Sequence, residues 1–164
     1  MKNRFSNLAL CAATACLLAA CGGGDSDPQP SDANALITVT SASVASHDGV
    51  YQSGQVGLSE VEKVLDIANT TCVFSFNGLT KVGDSAGTLS GEIAYREGAT
   101  TLSRLEVTIN GVAYSSGAVD DSLVDRGNDR VTFGKKVLAS TAEDTNTVEV
   151  AGSVAMRGNR PSGC

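Results

Sequence analysis

Hydrophobic and polar residues alternate with a period of two along most of the chain beyond Ala35. Ile37 and Val39 alternate with Thr38 and Thr40, and Cys72, Phe74 and Phe76 alternate with Val73, Ser75 and Asn77. Leu89, Ile93 and Tyr95 share one face, opposite Ser90 and Glu92, and Leu105, Val107 and Ile109 oppose Arg104, Glu106 and Thr108. Val131, Phe133, Val137 and Ala139 make a further stripe, and Val148, Val150, Val154 and Met156 the last. Successive side chains of a strand point to opposite faces, so each stripe predicts a half-buried strand, and clean alternation favours antiparallel pairing. Asn110-Gly111 after Ile109 predicts a two-residue hairpin, because both turn positions need positive φ. One segment departs from this period. Val61, Val64, Leu65 and Ala68 recur at helical spacing behind a capping box from Ser59 to Glu62, which predicts a short helix of about nine residues. The expected fold class is mainly β to α+β, an antiparallel meander of about six or seven strands with one short early helix. An all-β sandwich or a small barrel is the alternative.

The start of the chain follows different rules. Lys2 and Arg4 precede an apolar stretch, Leu8 to Ala20, that is too short to span a bilayer. It ends in Leu18-Ala19-Ala20-Cys21, followed by Gly22-Gly23-Gly24. On these residues the N-terminal segment resembles a bacterial lipoprotein precursor, whose lipobox is Leu, two small residues and Cys. The resemblance covers the signal alone. It implies that the Cys21 thiol takes a diacylglycerol, that a dedicated peptidase cuts before Cys21, and that the freed amine is acylated by a chain such as palmitate. Each buried methylene is worth ~0.8 kcal/mol, so two or three acyl chains would hold the protein on a membrane. Gly22, where this class uses Asp for inner-membrane retention, implies sorting to the outer membrane of the cell envelope. The expected organisation is a lipoprotein signal peptide over 1–20, a lipidated flexible tether over 21–34 and a single β-rich domain over 35–164. The tether, Gly22 to Asn34, is rich in Gly, Pro, Ser and Asp and has no apolar residue larger than Ala33 to offset its ordering entropy.

Composition narrows the function classes. The chain has 164 residues, 41% hydrophobic and 18% charged, enough for one packed core. Twelve Lys and Arg against 18 Asp and Glu give −6, and loss of Lys2 and Arg4 with the signal makes it −8. A body of that charge repels phosphate backbones, so no nucleic-acid partner is expected. The chain has no Trp and one His. Tyr51, Phe74, Phe76, Tyr95, Tyr114 and Phe133 fall mostly on core faces, which leaves few exposed platforms for sugars.

Several motifs carry possible chemistry. Gly83-Asp84-Ser85-Ala86-Gly87 matches the G-x-S-x-G pattern that exposes a nucleophilic serine at a strand-to-helix turn. Here Thr88-Leu89-Ser90 reads as strand, so Ser85 is expected in a plain hairpin turn. His47-Asp48-Gly49 reads as a surface turn. Asp120, Asp121, Asp125, Asn128 and Asp129 crowd one loop without the spacing of a calcium-binding loop, and read as solvated. Lys135-Lys136 and the Arg157, Arg160 pair read as edge or sheet-face charges. No residue set calls for a metal or cofactor. Once Cys11 and Cys16 leave and Cys21 carries lipid, two thiols remain, and an oxidising compartment predicts a Cys72–Cys164 disulfide. The function expected is that of a non-catalytic, lipid-anchored envelope protein that meets another envelope protein. The alternatives are a binder of a small apolar ligand, with room left by the small residues Ala42, Gly91, Ala139 and Gly152, and, third, a serine hydrolase using Ser85.

Overall fold

A computed structural model describes residues 33–65, 69–142 and 145–164. The signal peptide, Cys21 and all of the tether except Ala33 and Asn34 lie outside the described residues. The strands are β1 (Ala35–Thr40), β2 (Gly49–Ser53), β3 (Gly57–Leu58), β4 (Glu62–Leu65), β5 (Thr70–Lys81) and β6 (Asp84–Arg96). There follow β7 (Leu102–Ile109), β8 (Val112–Ser116), β9 (Ser122–Asp125), β10 (Arg130–Ser140) and β11 (Thr147–Ala155). Between β1 and β2 lies one 3-10 turn, Ala45–His47, and the described residues contain no α-helix. The protein is mainly β, with 11 strands in one sheet.

All strand pairings are antiparallel, and the sheet closes on itself. The order runs β11-β1-β2-β5-β6-β7-β8-β10, and β10 pairs back to β11. Closure removes most free edges. The ring is not a regular barrel, because two of its joints are narrow. Only Tyr51↔Lys81 and Gln52↔Thr80 join β2 to β5, and only Ala139↔Ser115 and Ser140↔Tyr114 join β10 to β8. β3 and β4 fill the rest of the β5 edge, and β9 covers the start of β10.

The inward face is the set of stripes read from the sequence, except at Val137 and Ala139 of β10. Ile37, Val39, Cys72, Phe74, Phe76, Leu89, Ile93, Tyr95, Leu105, Val107, Ile109, Val148, Val150, Val154 and Met156 are all buried, as are the six aromatic rings. The Asn110-Gly111 hairpin forms between Ile109 and Val112, with φ of 51° and 86°. Burying this apolar surface at ~25 cal/mol per Å² is the main force holding the ring.

Two expectations fail. The early helix is absent from the described part of its span: Glu62–Leu65 is strand β4, and residues 66–68 lie outside the described residues. Of its described apolar positions only Val61 is buried, while Val64 and Leu65 are 49% and 81% exposed. A helix this short gains little alone, whereas the start of β5 offers a full register, Glu62↔Val73 to Leu65↔Thr70. The capping hydroxyl serves the sheet instead: Ser59 Oγ accepts from Ser75 N at 2.9 Å, and Ser59 N donates to Ser75 O at 3.0 Å. In β10, Val137 and Ala139 do not continue the Val131–Phe133 face. A bulge between Phe133 and Lys136 shifts the register, so Leu138 is buried and Val137 is 57% exposed.

Candidate functional site

The catalytic motif does not assemble. Ser85 is exposed on β6, just past the two-residue turn Val82-Gly83, with strand and not helix following. His47, expected on the surface, is 4% exposed, and the 3-10 turn carries it over one end of the ring. Its Nδ1 lies 2.9 Å from Tyr114 Oη, and Tyr51 Oη donates to His47 O at 3.0 Å. Burial, then the nearby Lys81 ammonium, hold the imidazole below its ordinary pKa, against a smaller opposing pull from Asp48. The arrangement seals one end of the core and leaves no imidazole for Ser85.

The other end is sealed by the C-terminal residues. Cys72 and Cys164 form a disulfide, with Cα atoms 5.7 Å apart. Tyr95 Oη and Arg126 Nε both donate to Cys164 O, at 2.8 and 2.9 Å, and the Arg126 guanidinium lies 5.3 Å from the Tyr95 ring centroid. Burial raises the Tyr95 phenol pKa, with Arg126 and Arg160 pulling it back. Arg157 and Arg160, expected as edge charges, grip this end instead. Arg157 donates to Leu58 O, and Arg160 donates to Asp129 at 2.6 Å and to Arg126 O at 2.9 Å. Lys135 does sit on the sheet face, paired with Glu149 at 3.1 Å.

The acidic loop is occupied by local bonds. Asp125 accepts from Asn128 Nδ2 and from the Gly127 and Asn128 amides, while Asp129 takes Arg160. These donors, Asn128 first, hold the Asp125 carboxyl below its usual pKa. Among the described residues no three metal-ligating side chains converge.

The small inward residues do not open a cavity where two of them stand. A Cβ on Gly91 would lie 2.6 Å from the Phe76 ring and would strike Glu106 O, and one on Gly152 would strike Leu36 O and Ile37. Both glycines are filled by their neighbours. Ala139 is exposed. A concave surface lies outside the ring. A groove of about 660 Å³ crosses its outer face, lined by Glu62, Val64 and Leu65 of β4, Val73 of β5, Ala94 of β6 and Arg104 of β7. A second depression of about 330 Å³ continues over Ser75, Ser90, Glu92 and Glu106. Arg104 pairs with Glu92. Glu106 stands directly across from Glu92 in the register, so this face holds two like charges side by side. All four β4 residues are exposed, and β4 pairs on one side only, with β5.

Comparison with family models, curated proteins and solved structures finds no match. The groove therefore rests on its own geometry. Sequence reasoning missed it because Val64 and Leu65 were assigned to a buried helical face. No local signal marks it, because Glu62 and Lys63 fall on the polar side of that helical spacing as an amphipathic helix would have them. Among the described residues no helix is long and apolar enough to cross a membrane.

Proposed function

We propose that this chain is a lipid-anchored protein of the bacterial envelope, acylated at Cys21 and held at the outer membrane, whose ring acts as a non-catalytic interaction module. The lipobox residues Leu18 to Cys21 support the address. The observation that carries the interaction reading is β4, an exposed strand with two bare apolar side chains beside a groove on an otherwise closed ring. Apolar side chains exposed side by side, rimmed by polar residues and next to a groove, support a surface that meets another protein. A photo-crosslinking residue placed at Val64 should give a discrete adduct in intact envelopes, and one at Val137, on another outer face, should not. Equal labelling from both positions would remove the groove from the reading.

The apolar-ligand alternative is weaker because Phe76 and Ile37 occupy the space over Gly91 and Gly152. Displacement of a bound apolar dye from the ring interior would revive it. Hydrolysis through Ser85 is weaker still because the single imidazole, His47, is buried against Tyr114, and labelling of Ser85 by an activity-based serine probe would restore that reading.

A further inference from the structure

We infer that residues 157–164 form a strap over one mouth of the ring, latched by the Cys72–Cys164 bond and released when that bond is reduced. β11 ends at Ala155, and Arg157 to Cys164 contains no strand or helix. Residues 158, 159 and 161–163 are exposed, and Cys164 alone of the strap is buried. The remaining restraints are hydrogen bonds: Gly98 N to Gly163 O at 2.9 Å, Arg126 to Cys164 O and Gly163 O, the buried Tyr95 Oη to Cys164 O at 2.8 Å, and the half-buried Arg157 and Arg160 contacts described above. Water can replace these once the strap lifts, and the strap buries almost no apolar surface of its own. The covalent bond is thus what keeps it seated.

The ring does not depend on the strap. β11 is paired along its length with β1 on one side and β10 on the other, and Val148, Val150 and Val154 are buried in the core. Beneath the strap lie Tyr95, Met156 and Cys72, all fully buried. This is also the end at which the tether arrives, since Ala155 N donates to Asn34 O at 3.0 Å and Val56 N to Ala33 O at 2.7 Å. Release would uncover an apolar mouth next to Arg126, whose guanidinium would lose Cys164 O as an acceptor. The reductant is a dithiol of the thioredoxin class. Both sulfurs are buried while the strap is seated, so attack follows fraying of its exposed residues: one thiolate then attacks Cys164 Sγ to form a mixed disulfide and Cys72 leaves as thiolate. The second thiol of the reductant then resolves the mixed disulfide, so two electrons and two protons pass to the cysteines.

The test uses the full protein in detergent, with dithiothreitol as the probe and trypsin as the reporter. Arg157-Gly158 is the cleavable bond in the strap, because Pro161 protects Arg160. Reduction should speed cleavage after Arg157 by about tenfold or more, while the Ile37 and Val39 amides of β1 stay protected from exchange. Cys164→Ser should be cut without reductant at the rate of the reduced wild type. A rate within about twofold of the oxidised protein would overturn the proposal. So would loss of Ile37 and Val39 protection on reduction, which would make the bond a staple of the whole fold. Neither outcome touches the lipid anchor or the groove.

Discussion

His47 is the single imidazole of the chain, and its burial makes one end of the ring sensitive to acid. Burial and Lys81 favour the neutral ring in the folded state, so its folded pKa lies below the ordinary value of 6.5. The sign follows from linkage: this contribution to stability is complete above about pH 6.5 and is lost as the pH falls below it, because the unfolded chain takes the proton first. Urea midpoints measured between about pH 7.5 and 5 should fall, and His47→Gln should flatten that slope. An unchanged slope would assign the acid sensitivity to other groups. Gly91 offers a second test at this scale. Gly91→Ala drives a methyl into Phe76 and the Glu106 carbonyl, and overpacking of this kind costs about 1–3 kcal/mol. Gly54→Ala, with nothing within 4 Å of the new carbon, is the neutral control in the same unfolding measurement.

At the scale of elements, local chemistry decides some segments and long-range pairing decides others. The β7–β8 hairpin belongs to the first kind, since Asn110 and Gly111 supply the positive φ values that the turn needs. Gly111→Ala places a side chain at φ 86° and should cost about 1 kcal/mol in equilibrium unfolding, with Gly117→Ala as the open-space control. β4 is decided by its partner strand, although the paired residues of β5 lie only 5 to 11 positions on. Its residues match a helix template, yet the unpaired amides and carbonyls at the start of β5 are satisfied only if Glu62–Leu65 extends beside them. The capping serine then finds Ser75, 16 residues away, as its partner. The bulge in β10 is a similar case: a strict period of two cannot foresee the residue at which a strand slips its register.

At the scale of the molecule, the signal and the domain make separate demands. Cys21→Ser removes the sulfur that would carry the lipid, so the protein should accumulate as an uncut precursor and fail to partition into a detergent phase. Normal cutting after Ala20 together with normal acylation of the variant, followed by mass spectrometry, would refute the lipobox reading. The same substitution should leave the ring's unfolding midpoint unchanged, because Cys21 lies 12 residues ahead of Ala33, where the described residues begin.

The sequence by itself determined the inward faces of most strands, the hairpin at Asn110-Gly111 and the pairing of Cys72 with Cys164. The first two follow from side-chain alternation and turn dihedrals, which are local, and the third from a count of thiols. Only the tertiary structure decided that the meander closes into a ring, because closure depends on β1 meeting β11, the two strands furthest apart in the chain. It also decided that Val64 and Leu65 face solvent, that His47 plugs one end, and that Arg126 and Arg160 hold the other. His47, Arg126 and Arg160 owe their places to Tyr114, Cys164 and Asp129, which lie 67, 38 and 31 positions away, and no window of alternating residues contains such partners.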